Sequence, residues 1–319
     1  MRRLPAVLAV ACLSCAPAAA APVTLARGVE WLPGRFVPGE QPDGNTLVFD
    51  ATDGLVVFDT GRHAAHARAI ADYARVRGRP VVAIVNSHWH LDHVGGNAML
   101  RKAFPQARVL ASGAIEGAMH GFLARYRAQI EQVLATQDGD AARKAALRDE
   151  LALIDAGAAL YPDERIGEAS MRAVAGRRLR IGFEERAVTA GDVWVFDPAT
   201  RVLAAGDLVT LPAPLFDTAC AARWQAALAR LGEVDFTTLV PGHGAPMTRT
   251  QFATYRTAFD HLLACAAGTA SKDACVEGWL RDAATLVPRA DETLARGLLG
   301  YYLDGTLRDP AKTKDACAA

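Results

Sequence analysis

The stretch SHWHLDHVGG, residues 87–96, holds three of the chain's eight histidines. His88, His90 and His93 fall within six positions, with Asp92 between the last two. Zinc takes imidazole and carboxylate donors in a near-tetrahedral shell, and catalytic sites keep one position open for water. His88 and His90 alternate, so an extended backbone aims both rings to one side. Asp92 and His93 follow in the turn and can face a second ion. One short loop can thus feed two metals, and ions about 3.5–4 Å apart can share a hydroxide nucleophile and polarise a carbonyl or phosphoryl oxygen.

The surroundings of this loop suit a layered α/β domain. PVVAIVNS (80–87), directly before it, is rich in β-branched residues, as a buried strand is. NTLVFDATDGLVVFDTG (45–61) reads as two strands joined at an Asp53-Gly54 turn. HAAHARAIADYARVRG (63–78) has helical spacing and a glycine stop. GGNAMLRKAF (95–104) reads as a helix and ARVLAS (107–112) as a strand. A β-β-α-β-α-β alternation of this kind builds layers of helices on a sheet.

From about 113 to 157 the composition shifts to Ala, Arg, Glu, Gln and Leu, with apolar positions at Phe122, Tyr126, Ile130 and Val133. This insertion is expected to hold two helices, broken near TQDGD (136–140), and to serve as a lid or as cover for one sheet. Strand signals return in RRLRIGF, DVWVF and RVLAAGDLV, followed by a helix in ARWQAALARLG and a strand in FTTLVPGHG. Residues 250–302 are mostly helical, and the tail after Leu307 is expected to be loose unless Cys317 ties it down.

Bulk properties narrow the function. The 319 residues are 51% hydrophobic, and 35 basic residues balance 35 acidic ones. With no basic run, a nucleic-acid partner is not expected, and a small-molecule substrate is. The N-terminus reads as an export signal: Arg2 and Arg3, a short apolar core over 4–13, and small residues suited to cleavage after Ala20. That run is too short and too broken by Pro5 and Pro17 to span a bilayer, so no stable membrane insertion is expected after cleavage. Cys12 and Cys15 raise a lipoprotein reading, but neither has a leucine three residues before it. Export implies a periplasmic or secreted, oxidising location, where the four remaining cysteines would pair. CAAGTASKDAC (265–275) reads as a short loop between helices, which favours Cys265 with Cys275. That leaves Cys220 with Cys317 by elimination.

His-x-His-x-Asp-His after a buried strand resembles the metal-binding loop of the metallo-β-lactamase superfamily. Asp59 in VVFDTG matches the family's Asp-Ser/Thr-Gly element, which supports that loop. Asp207 in VLAAGDLV matches the Gly-Asp whose carboxylate bridges two metals. His243 in LVPGHG matches the last histidine, a ligand of the second metal. The resemblance covers roughly residues 29–247. It implies a four-layer αββα sandwich over 21–249, after a signal peptide at 1–20. The helical insertion lies within it, and a helical extension over 250–319 packs on the same domain.

One departure stands out. The family supplies a third histidine to the first metal in a stretch like Gly-His-Thr-x-Gly-Asp. Here that stretch reads RAVTAGDVWVF (186–196), with Thr189, Gly191 and Asp192 in frame and Val188 in the histidine's place. No histidine lies between His120 and His243. The first metal would keep His88, His90 and a share of Asp207; the second would keep Asp92, His93, His243 and a share of Asp207. One tightly bound Zn2+ and a weak or empty first site are therefore expected. His120, Glu184 and Glu185 are candidates to fill the gap; Glu184 has strand parity with Val188.

There is no Gly-x-Ser-x-Gly elbow and no P-loop. The resemblance thus implies a metal-dependent hydrolase that turns a metal-bound hydroxide, oriented by Asp92, on an ester, thioester, lactone or similar bond. The aspartate at 207 is like the glyoxalase-II, lactonase and arylsulfatase branches, whereas β-lactamases mostly place Cys or Ser there. Two other readings remain: a metal- or ligand-binding protein on a catalytic scaffold, and a β-lactamase.

Overall fold

The computed structural model describes residues 21–36, 40–136 and 140–318. The expected signal peptide, with its cleavage after Ala20 and the cysteines at 12 and 15, lies outside the described residues. Two sheets form the centre. The first contains, in spatial order, β1 (Val23–Ala26), β2 (Val29–Leu32), β3 (Thr46–Asp50), β4 (Leu55–Phe58), β5 (Val81–Val85), β6 (Arg108–Ala111) and β7 (Glu164–Arg165). Its first four strands are antiparallel and its last four pair in parallel. The second sheet runs β8 (Ser170–Val174), β9 (Arg177–Glu184), β10 (Asp192–Asp197), β11 (Val202–Thr210), β12 (Thr238–His243) and β13 (Met247–Thr248). Only its β11–β12 pairing is parallel. Strands β1, β2, β7, β8 and β13 extend the sheets beyond the strand signals read in the sequence.

The central strands bury both faces. On β10, Val193 and Val195 enter the core between the sheets, while Trp194 and Phe196 enter the core on the sheet's outer side. On β4, Val56 and Phe58 face the other sheet, while Leu55 and Val57 face outward. A strand covered on both sides needs apolar residues throughout, which explains the unbroken apolar runs in the sequence. Helices α1 (Ala64–Val76), α2 (Leu91–Val94) and α3 (Asn97–Ala103) follow β4 and β5. Ile70 and Ala74 of α1 and Leu100 of α3 cover the first sheet.

The insertion contains three α-helices rather than the expected two: α4 (Ala114–His120), α5 (Phe122–Ala135) and α6 (Ala141–Asp155). The added break falls at Gly121, where φ −107° and ψ −98° lie outside the helical range, a backbone that glycine accepts readily. Ile115, Leu123, Ile154 and Leu160 of this region pack on Trp89, Leu91 and Val94 of the histidine loop.

The second sheet is covered by α7 (Ala221–Gly232), α8 (Arg249–Ala267), α9 (Lys272–Asp282) and α10 (Glu292–Tyr302), giving helix, sheet, sheet and helix in four layers. A capping box starts α8: Thr248 and Gln251 each accept from the other's backbone N–H. Trp224, Tyr255, Phe259 and Trp279 are wholly buried together, so the C-terminal helices share one core with the sheet. Cys265 bonds Cys275 and Cys220 bonds Cys317, the pairing the sequence favoured. The tail is a helix, α11 (Pro310–Ala318), fastened by Cys317 to the start of α7. A crosslink across 97 residues restricts the unfolded chain by roughly 4–5 kcal/mol.

Candidate metal centre

The histidine loop leaves the C-terminal end of β5, beside the end of β4. Asp59 sits there with φ 58°, in the left-handed region, which turns its carboxylate back under the loop. It accepts hydrogen bonds from the backbone N–H and the hydroxyl of Ser87, both at 2.7 Å, and from His93 Nδ1 at 2.8 Å.

Counting hydrogens assigns the imidazole tautomers. Ser87 donates its single hydroxyl hydrogen to Asp59, so His88 Nδ1, 2.9 Å away, donates to Ser87 Oγ. Thr218 donates to the carbonyl of Val188 at 2.9 Å, so His90 donates from Nε2 to Thr218 Oγ1 at 3.2 Å. Each ring is thus anchored through one nitrogen and offers the other, the arrangement that orients metal-ligating histidines.

Asp207 and His243 arrive on the parallel neighbours β11 and β12. Asp207 turns Oδ1 towards His93 Nε2 at 3.1 Å and His243 Nε2 at 3.5 Å, and Oδ2 towards His88 Nε2 at 3.7 Å. Two glycines allow this. Gly206 takes φ 55°, and a Cβ at Gly242 would lie 1.9 Å from Asp207 Oδ1. Asp92 Oδ2 lies 2.9 Å from His243 Nε2.

Two groups of ligand atoms result, each within 4.8 Å: Asp92, His93, Asp207 and His243; and His88, His90 and Asp207. Among the described residues, the buried side-chain atoms that form no well-directed hydrogen bond, for all their short contacts within the cluster, include His88 Nε2, His93 Nε2, both Asp207 oxygens and both His243 nitrogens. Buried polar atoms are normally paired. Their concentration at one point, with anionic and imidazole donors mixed, fits a divalent cation. Burial works against a charge on His93, but the carboxylates of Asp207, Asp92 and Asp59 outweigh it and raise its pKa well above 6.5. Burial would raise Asp92, but His93 and His243 draw it well below the usual carboxylate range. Burial, His93 and His90 keep His88 neutral.

The first group stays one ligand short. Val188 is 1% exposed and belongs to the apolar core of the second sheet. Asp192 shapes its turn by accepting the N–H groups of Ala187, Val188 and Thr189. None of the three candidates fills the gap. His120 is exposed and outside both groups. Glu185 is exposed, 3.8 Å from Arg223. Glu184, at the end of β9, is buried against Trp194 and Arg230, accepting from Trp194 Nε1 at 3.2 Å and Arg230 Nε at 2.9 Å. His63 is exposed, while His66 is buried and bonded to Thr46 at 2.8 Å.

The structure adds residues that the sequence reading passed over. Arg62, next to the Asp-Thr-Gly element, is buried with Nη2 3.5 Å from Asp92 Oδ1. It pairs with Glu150 of α6, which accepts from the Tyr126 hydroxyl of α5 at 3.2 Å. The insertion thereby reaches the metal loop. Above the cluster lies a cleft of about 450 Å³, whose lining includes Trp89, His90, Asp92 and Asp207.

Comparison with known proteins agrees with this geometry. A family model described as the metallo-beta-lactamase superfamily matches residues 40–243. A linear primary-alkylsulfatase from Pseudomonas sp. is 25% identical over 63% of this chain and 41% of its own length. A hydroxyacylglutathione hydrolase from Gloeobacter violaceus is 36% identical over 26% of this chain and 33% of its own. The matches thus span less than half the length of these relatives. Among solved structures, a metallo-beta-lactamase from Pontibacter korlensis aligns with 75% of this chain and 98% of its own, at TM-score 0.54 and 19% identity. One from Hirschia baltica aligns with 74% and 96%, at TM-score 0.54 and 17% identity.

Proposed function

Because this chain belongs to the metallo-β-lactamase superfamily, we propose that it is a metal-dependent hydrolase of an ester, thioester, lactone or similar bond, with one zinc ion held tightly by Asp92, His93, Asp207 and His243. The observation that carries this reading is the set of unpartnered donor atoms gathered in one buried cluster at a cleft. A divalent ion there supplies Lewis acidity, which polarises a carbonyl oxygen and brings the pKa of water towards neutrality. The chain's own residues do the remaining work. Asp59 fixes the ring of His93 and the backbone of Ser87. Arg62 steadies Asp92, and Asp92, held ionised, accepts a hydrogen from the attacking water and orients it. Water adds at the carbonyl, the acyl bond breaks, and an acid and an alcohol or thiol leave. The names of the Pseudomonas and Gloeobacter relatives, an alkylsulfatase and a hydroxyacylglutathione hydrolase, support hydrolysis as the reaction class.

Export to an oxidising compartment is part of the proposal, supported by the two disulfides. No helix among the described residues is long and apolar enough to cross a membrane.

The test pairs elemental analysis of the purified protein with hydrolysis of lactone, ester, thioester and β-lactam substrates. About one zinc per chain with metal-dependent turnover is the expected result, with β-lactams the poorest substrates. Metal-free protein, or metal without turnover even after zinc or manganese is added, would replace the hydrolase by a binding protein on the same scaffold.

A further inference from the structure

We infer that the cleft over the metal cluster takes an uncharged ester or lactone with an apolar acyl chain, gripped between the helical insertion and the C-terminal extension. The bond cleaved rests on the hydrolase reading above; the shape and charge of the ligand rest on the cleft itself.

The cleft has two apolar walls from distant parts of the chain. Phe122 and Tyr126 line it from α5, and Leu294 and Leu298 line it from α10. Each pair is spaced four residues apart, so each presents one helix face. All four side chains are only partly buried. They keep apolar surface that a ligand can cover, as the walls of small-molecule sites do. Helix α10 lies beyond the residues matched by the family model, so this wall comes from the C-terminal extension.

Charge points the same way. Arg62 is the one cation lining the cleft among the described residues, and it is already paired with acidic groups. It pairs with Glu150, donates from Nε to the Pro42 carbonyl at 3.3 Å, and holds Nη2 3.5 Å from Asp92. Asp217 and Glu40 line the same cleft. The Asp217 carboxylate accepts the Tyr302 hydroxyl at 2.6 Å. An anionic substrate would meet the Asp217 carboxylate, a Glu40 carboxylate paired with Arg35 at 3.3 Å, and no spare cation among the lining residues, whereas an uncharged one meets apolar walls leading down to the candidate metal ligands.

A matched pair tests this on the zinc-loaded full chain: 4-nitrophenyl hexanoate against the mono-4-nitrophenyl ester of adipic acid, which adds a terminal carboxylate. The uncharged ester should have at least about tenfold higher kcat/KM, the equivalent of one charge contact of roughly 1.4 kcal/mol. Asp217→Asn should narrow that gap. Along the acetate, butyrate and hexanoate esters, kcat/KM should rise by up to about fourfold per methylene. Phe122→Ala and Leu298→Ala should each flatten the rise. Equal or faster turnover of the carboxylate-bearing ester, or no dependence on chain length, overturns the inference and leaves the hydrolase reading intact. Binding of hexananilide and of adipic acid monoanilide, measured by titration calorimetry, separates the two claims. Tighter binding of the uncharged anilide with no ester turnover sinks the hydrolase reading alone; equal or tighter binding of the charged one sinks the inference.

Discussion

Asp207 turns one oxygen to each of two ligand groups, and the groups on either side of it are built differently. Asp92, His93 and His243 complete one side with two imidazoles and a carboxylate, and His93 is backed by Asp59. The other side has His88 and His90, with the side chain of Val188 turned into the core. The supporting contacts of the poorer side are nevertheless intact. Ser87 still anchors His88, and Thr218 still anchors His90 through the backbone carbonyl of Val188. The difference teaches that the main-chain carbonyl of a residue whose own side chain offers no donor can help orient a histidine ring. Two buried carboxylates attract a cation more than one does, so the proposed tight zinc belongs to the side where the charge is greatest.

The largest test removes what both sides share. Asp207→Ala should empty both groups and lower turnover on the order of 1,000-fold, the equivalent of several kcal/mol of lost Lewis-acid stabilisation. Elemental analysis beside kinetics would show it, and a variant that kept its zinc would refute the shared role. Asp59→Asn weakens only the support of the richer side. Its zinc affinity should fall by about 10–100-fold, read by competition with a chromogenic chelator. Acidity should act on the same side. In the metal-free cluster Asp207, Asp92 and Asp59 hold a proton on His93 despite its burial, well above pH 6.5. A bound ion must displace that proton, so affinity should drop by about tenfold per pH unit while pH stays below the His93 pKa. Calorimetry in buffers of different ionisation enthalpy would count the proton released, and none released at pH 7 would contradict it. Val188→His should lift zinc from about one equivalent to two, at a cost of roughly 1–3 kcal/mol from overpacking the core. His90→Ala should be mildest, changing the affinity of the first zinc equivalent by less than about threefold; a tenfold loss would make the two sides interdependent.

Much of the centre was legible because its information is local. His88, His90, Asp92 and His93 share one loop, and the buried strands before Asp59, the loop, Asp207 and His243 announce themselves as apolar runs. The cysteine pairing was legible for similar reasons, since ten residues separate Cys265 from Cys275 and only two partners then remain. The apolar residue at position 188 was visible too, because Thr189, Gly191 and Asp192 keep the frame of the family stretch that the sequence resembles.

The rest depended on which segments meet. His90 and Thr218 are 128 residues apart, and Arg62 and Glu150 are 88 apart. No periodicity in either segment signals such a partner. The inward turn of Glu184, the break at Gly121 and the wall made by Leu294 and Leu298 were likewise decided by packing. Residue spacing sets the direction in which a side chain leaves its own helix or strand. What stands opposite is set by how two sheets and their covering helices close around a common core. The sequence by itself therefore determined the candidate donor residues of this centre and the valine at position 188, and the tertiary structure decided what holds them in place and what kind of cleft lies above them.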